Sequence, residues 1–188
     1  MRKVLTGILC AALLSGCQMS KQKNTAVKGE TSYEGYYKSI EDNDRFLSYS
    51  LYYDISAEMT SMADGTHRYY IFLDSPQIAM YDVVMLAVED DIPYASAGKM
   101  MPCIGVFEST DYSLIPFQAN SKAGFMKGLV ISGACTNDTV NIKMLVEWSD
   151  KTLENTRREY LSFPLDASGF HSEVPTRQIT EEEVTANE

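Results

Sequence analysis

The segment VNIKMLVEW, residues 140–148, alternates apolar and polar side chains with a period close to two. The apolar positions are Val140, Ile142, Met144, Val146 and Trp148, and between them lie Asn141, Lys143, Leu145 and Glu147. Successive side chains of a β-strand point to opposite faces of the sheet, so this period puts five apolar groups on one face. The segment therefore predicts a strand with one face in a hydrophobic core.

Six further segments carry strand signals and are separated by turns that contain Gly, Pro, Asn or Asp. They are Leu47 to Met59, His67 to Asp74, Met80 to Val88, Cys103 to Phe107, Phe125 to Ile131, and Glu159 to Leu165. Met80 to Val88 is almost continuously apolar, which predicts a strand that is covered on both faces or central in its sheet. About seven strands and no amphipathic segment long enough for a major helix predict an all-β domain. We expect a two-sheet antiparallel sandwich of immunoglobulin-like architecture, with an eight-stranded barrel as the alternative.

The N-terminus has the features of a secretion signal. Arg2 and Lys3 precede an apolar segment from Val4 to Leu14, which is too short to span a bilayer as a helix. It ends in Leu14-Ser15-Gly16-Cys17, and this motif resembles the lipobox of bacterial lipoproteins. The resemblance covers residues 1–17 only. It implies that residues 1–16 are removed and that Cys17 becomes the first residue of the mature chain, carrying lipid of the palmitate type. The alternative is an ordinary secretory signal that contains a cysteine.

The remaining chain divides into three parts by composition. Residues 17–43 are polar and predict a lipidated tether and flexible linker, in which Tyr33, Tyr36 and Tyr37 could dock on the domain. Residues 44–173 form the predicted β-sandwich domain, and residues 174–188 form an acidic tail that carries three consecutive glutamates. The lipobox implies a location in the cell envelope, on the extracytoplasmic side of a bacterial membrane. There, Cys17 would anchor the protein in the bilayer.

The charge balance argues against nucleic acid as a partner. The chain has 16 Lys and Arg against 26 Asp and Glu, for a formal net charge of -10. Proteins that contact phosphate backbones cluster Lys and Arg on one surface, and no such cluster occurs here.

Few residues are available for catalysis, and no catalytic motif is present. Glu89, Asp90 and Asp91 are the densest acidic group inside the domain. A pair of carboxylates could hydrolyse glycosides, which makes a small envelope-associated hydrolase the alternative function. The same three residues are weak calcium candidates, because carboxylate oxygens suit Ca²⁺ but the spacing of a dedicated calcium loop is missing. No cofactor and no other metal site are expected.

Two cysteines remain once Cys10 leaves with the signal and Cys17 carries lipid. Cys103 and Cys135 are an even pair in an oxidising compartment, so a disulfide between them is expected, with two free buried thiols as the alternative.

Tyrosine points to a contact surface, since it is a favoured residue at interfaces. Of the 12 tyrosines, Tyr52, Tyr70 and Tyr112 fall on predicted polar faces or loops and are the candidate contact residues. The sequence thus favours a membrane-anchored lipoprotein with a non-enzymatic binding or structural domain. Its expected partner is an envelope or surface protein or a glycan.

Overall fold

The computed structural model describes residues 25–172, with side chains described from Ser32 onward. The predicted signal, the lipidated Cys17 and the acidic tail 174–188 lie outside the described residues. The helix and strands are α1 (Thr25–Glu41), β1 (Asp54–Ser61), β2 (His67–Asp74), β3 (Tyr81–Glu89), β4 (Cys103–Ile104), β5 (Ser113–Leu114), β6 (Phe125–Met126), β7 (Leu129–Cys135), β8 (Val140–Ser149), β9 (Thr156–Leu165) and β10 (Phe170–His171). Two short 3₁₀ turns, at Tyr94–Ser96 and Ser121–Ala123, lie between β3 and β6.

The strands form two antiparallel four-stranded sheets. The first sheet has the order β10-β1-β2-β7 and the second has the order β4-β3-β8-β9, while β5 and β6 make a separate short parallel pair. Among the six long strands, the first, second and fourth share one sheet, and the third, fifth and sixth share the other. This is the A-B-E and C-F-G arrangement of immunoglobulin-type sandwiches. The prediction of a two-sheet antiparallel sandwich is confirmed, and within the described residues the sheets do not close into a barrel.

The main core lies between the two sheets and is built by the alternation seen in the sequence. All five apolar residues of the 140–148 pattern are buried in it. They face Ile55, Ile71 and Leu73 from the first sheet. On β3, every residue from Val83 to Glu89 is buried, because this strand is covered on both faces. The continuous apolar pattern of Met80 to Val88 therefore predicted its burial correctly.

Helix α1 is the main departure from the predicted organisation. Residues 17–43 were expected to be a flexible linker, but a 17-residue helix covers most of this range and packs on the outer face of the second sheet. Tyr33, Tyr37 and Ile40 are buried there. Their i, i+4, i+7 spacing forms one helical stripe, which lies against an apolar outer sheet face that includes Leu86 and Leu145. No helix among the described residues is long and apolar enough to cross a membrane.

Several predicted strands are shorter than their sequence patterns. The Leu47 to Met59 pattern forms a strand only from Asp54, because Leu47 is bridged to Leu161 of the second sheet and the chain must then cross to the first sheet. The Cys103 to Phe107 pattern is reduced to the two residues of β4. The Phe125 to Ile131 pattern is divided into β6 and β7 at residues 127–128.

The sandwich has two distinct ends. Tyr81 at the start of β3 pairs with Ser149 at the end of β8, so the 75–80 and 150–155 connections lie together at what we call the upper end. The 62–66 turn between β1 and β2 lies at the other end with Glu89, which we call the lower end.

Candidate functional site

Glu89 is buried at the lower end, and both of its carboxylate oxygens have partners. Its side chain is 4% exposed, and both of its oxygens contact Lys99 Nζ, at 2.8 and 2.7 Å. Tyr69 Oη donates a 2.6 Å hydrogen bond to the same carboxylate. Burial raises the pKa of the Tyr69 hydroxyl, and the hydrogen bond to Glu89 raises it further, so this hydroxyl stays protonated and keeps donating. Lys99 also donates to the carbonyl oxygen of Ala134. The cluster thus ties the connection after β3 to β7.

The other two acidic candidates point to different partners. Asp90 Oδ1 accepts a 2.8 Å hydrogen bond from the backbone N–H of Asn141. Asp91 pairs with Lys143 at 2.5 Å. Each of the three carboxylates of residues 89–91 is therefore paired separately. The described part of the chain contains no group of three or more His, Cys, Asp or Glu that could hold a metal ion.

The two cysteines lie in different layers. Cys103 packs among the residues between the second sheet and α1, whereas Cys135 is buried in the core between the sheets. Both are free thiols, so the expected disulfide is not formed in this structure. Burial raises the pKa of Cys103 to about 11, and it raises the pKa of Cys135 as well. Both groups therefore remain thiols at neutral pH and are poor nucleophiles.

The register of the first sheet sets Cys135 opposite His67, which places a thiol and an imidazole on neighbouring strands. The imidazole, however, bonds to groups other than Cys135. Its Nε2 lies 3.0 Å from Asp138 and its Nδ1 lies 3.3 Å from Ser61 Oγ, while Cys135 Sγ donates to the carbonyl of Asn137. A cysteine activated for catalysis is paired with its base, and here the two side chains bond to other groups.

The three tyrosines proposed as contact residues do not converge. Tyr52 lies at the upper end, where its ring packs 5.6 Å from that of Trp148 and its hydroxyl accepts from Arg157. Tyr112 packs against the main core from the chain segment before β5. Tyr70 differs from both, because it lies on the outer face of the first sheet.

Tyr70, Phe72 and Val130 form a surface that we call the aromatic platform. The Tyr70 and Phe72 rings stack with centroids 6.4 Å apart and an interplanar angle of 27°. Val130 is the cross-strand neighbour of Phe72 and is 47% exposed. Both rings are half-buried, and their other cross-strand neighbours are Ser56 beside Phe72 and Glu58 and Ser132 beside Tyr70. In contrast to the second sheet, whose outer face is covered by α1, this face has no helix on it among the described residues.

The platform borders an open sheet edge. β7 is the last strand of the first sheet and has no partner on its outer side within residues 25–172. The carbonyl of Ala134 faces that side, since it accepts from Lys99. Because backbone groups alternate along an antiparallel strand, those of Val130 and Ser132 face it too. Side chains of the platform and free backbone groups of the edge could together contact an extended peptide or a flat ligand.

A groove at the upper end, which we call the upper groove, has a volume of about 550 Å³. It is lined by Ser75, Pro76, Gln77, Ile115, Pro116, Phe117, Gln118, Ala119 and Lys127. Lys127 is the only charged side chain in this lining, which otherwise combines apolar groups with neutral hydrogen-bonding ones. Such a lining suits binding. A smaller groove of about 300 Å³, which also includes Lys127, connects it to Phe72 and Val130 of the platform.

Sequence reasoning found Tyr70 but missed the rest of the platform. The sequence did contain a pattern that predicts the platform. Every second residue of β2 lies on the outer face, and these residues are Arg68, Tyr70, Phe72 and Asp74. The upper groove had no such signal, since the segments 75–77 and 115–119 are far apart in the chain.

Comparison of the chain with protein-family models, with curated proteins and with solved structures gives no significant match in any of the three. Function is therefore inferred from the residues and their geometry.

Proposed function

We propose that the protein is a lipoprotein anchored through Cys17 on the extracytoplasmic side of a bacterial membrane. Its β-sandwich is a non-enzymatic domain that binds an envelope protein or glycan. The observation that carries the binding role is the aromatic platform, in which a stacked aromatic pair and an exposed valine lie beside an unpaired strand edge. Large exposed apolar side chains grouped on one surface mark interaction sites.

The arrangement of the charged residues supports binding over hydrolysis. Glycosidases keep two carboxylates free to face the same bond, separated by roughly 5 to 10 Å. Here Glu89 is bonded to Tyr69 and Lys99, and Asp91 is bonded to Lys143. Residues 89–91 therefore offer no pair of free, converging carboxylates to an envelope hydrolase.

The anchor is tested by replacing Cys17→Ser. The protein with its natural Cys17 should incorporate radiolabelled palmitate in cells and sediment with membranes. The Cys17→Ser variant should do neither. Equal labelling of both proteins would show that Cys17 is not the lipidated residue.

The binding role is tested by cross-linking the lipidated protein in intact source cells and identifying what is captured. We expect one dominant envelope protein or glycan, and its loss when the platform is altered by Tyr70→Ser with Phe72→Ser. Met62→Ser is the matched control, because Met62 is 44% exposed but lies in the turn at the lower end. Capture that survives the platform substitutions in a folded protein would place the contact elsewhere.

A further inference from the structure

The upper end carries exposed apolar side chains at its loop tips. Phe117 is fully exposed and Leu153 is 56% exposed. Both residues have φ near +59°, a left-handed conformation that is unfavourable for residues other than glycine. Phe117 lies beside Pro116 and Ile115 in the upper groove, and Leu153 lies in the turn between β8 and β9. Two separate loops at the same end thus present large apolar groups to solvent.

Helix α1 begins at this same end and runs toward the lower end. Near its C-terminus, Ile40 lies beside Val88 and Lys143, which pair with each other close to the lower end. One turn earlier, Tyr36 Oη donates a 2.8 Å hydrogen bond to Glu147, two residues before β8 ends. The earlier residues of α1 therefore lie nearer to the upper end than the later ones. Thr25, eleven residues before Tyr36, lies about 16 Å further back along the helix axis at 1.5 Å per residue. Only two residues of β8 follow Glu147, so the helix begins beyond the ends of the strands.

The proposed anchor is close to the start of this helix. Seven residues separate Cys17 from Thr25. Even fully extended, the eight Cα–Cα steps from Cys17 to Thr25 span at most about 29 Å. The start of α1 is therefore held within that distance of the lipid attached to Cys17, and the upper end is the end of the sandwich nearest to the bilayer.

We infer that the upper end is a membrane-contacting surface, with the side chains of Phe117 and Leu153 entering the boundary between lipid headgroups and acyl chains. This inference rests on the proposed lipid anchor at Cys17. A lipid anchor fixes one point of the chain but does not orient the domain, and large apolar side chains that enter the interface supply a second contact that does. It also leaves the aromatic platform, on the side of the sandwich, free for a partner.

The charges near the tips are mixed, which sets the lipid preference. Lys127 lines the upper groove next to Phe117, and Lys151 shares a loop with Leu153. Glu154 in the same loop has the opposite charge. The Asp150 carboxylate accepts hydrogen bonds from the side chains of Thr152 and Asn155. The contact therefore depends on the apolar tips, and we expect it on vesicles of phosphatidylcholine alone.

Tryptophan fluorescence tests the contact with the full-length lipidated protein in phosphatidylcholine vesicles. Phe117→Trp and Leu153→Trp place probes at the two tips, and Met62→Trp places a matched probe in the turn at the lower end. The native Trp148 is buried and gives all three variants the same background. Brominated acyl chains quench only indoles that reach them. We expect a blue shift and quenching for both tip variants and neither effect for Met62→Trp.

Vesicle flotation in the same samples separates the two possible failures. If the protein floats with the vesicles and the tip probes are not quenched, or all three are quenched equally, the membrane-contacting surface is refuted and the anchor stands. If the protein does not float, the proposed anchor fails and the inference fails with it.

Discussion

Replacing Tyr69→Phe removes one oxygen atom from the core and one hydrogen bond from Glu89. Hydrogen bonds to charged groups contribute about 1.5–3 kcal/mol, and more of this is lost when the remaining partner is buried. Tyr69 is fully buried and the Glu89 side chain is 4% exposed, so water cannot replace the missing hydroxyl. Lys99 keeps its contacts with both carboxylate oxygens and limits the loss. We expect a cost of about 2 kcal/mol in the free energy of unfolding.

The assay is urea unfolding at pH 7, followed by the fluorescence of the buried Trp148. The midpoint should fall without a change in the slope of the transition, as it does when only stability changes.

Tyr53→Phe is the matched control for this prediction. Tyr53 is as deeply buried in the same core and its hydroxyl faces the Glu159 carboxylate, but neither this hydroxyl nor Oε2 of Glu159 makes a hydrogen bond of normal length and angle. Burial raises the pKa of the Tyr53 hydroxyl, with a further contribution from the negative charge of Glu159. Removing a hydroxyl without a well-formed hydrogen bond should cost clearly less than Tyr69→Phe, at most about 1 kcal/mol. Equal losses for the two variants would refute the role assigned to the Glu89 cluster.

Three further predictions concern packing and ionisation. Gly133→Ala should cost about 1–3 kcal/mol in the same urea assay, because a Cβ at this position would clash with the hydroxyl of Tyr69; no loss would mean that the ring moves freely. Tyr37→Ala should cost about 3–5 kcal/mol by thermal unfolding and expose residues 25–41 to limited proteolysis, since the buried ring holds α1 on the second sheet; an uncleaved helix would contradict this. The Cys103 thiol has a pKa of about 11 when folded against an ordinary value of 9.0, so folding favours its protonated form. That contribution to stability is complete below pH 9 and is lost as the pH rises toward 11. Native alkylation of Cys103 by iodoacetamide at pH 8, measured by mass spectrometry, should therefore be slower than in urea; equal rates would show an accessible thiolate.

The strands with local signals were predicted well. β2 has the predicted bounds, and β8 extends the predicted segment by one residue. Each of these patterns depends on which residues follow one another, and the β1–β2 turn depends on Asp64-Gly65. β5 and β10 were missed, because two-residue strands form only where another strand lies beside them. The helix was missed for a related reason. Its stripe of Tyr33, Tyr37 and Ile40 is short, and its packing depends on a sheet face built by residues 50 to 110 positions later.

The candidate surfaces divide in the same way. Sequence reasoning selected Tyr70 as a contact residue, and the alternation along β2 also puts Phe72 on the face opposite the core. That this face stays bare, while the equivalent face of the second sheet is covered by α1, is a consequence of how the helix packs. The free edge of β7 also follows from strand order, which local patterns do not contain.

The sequence by itself determined the all-β class and the two-sheet sandwich, and it carries the motif at Cys17 from which lipidation is proposed, because periodicity and short motifs are properties of neighbouring residues. Only the tertiary structure decided the partners of Glu89, the separation of Cys103 from Cys135, and the end of the sandwich at which α1 begins. The physical reason is that burial, pairing and direction depend on groups brought together from distant parts of the chain. Tyr69 and Glu89 are twenty residues apart and meet across two sheets. Loops such as 75–77 and 115–119 make a groove only once the strands that carry them have packed.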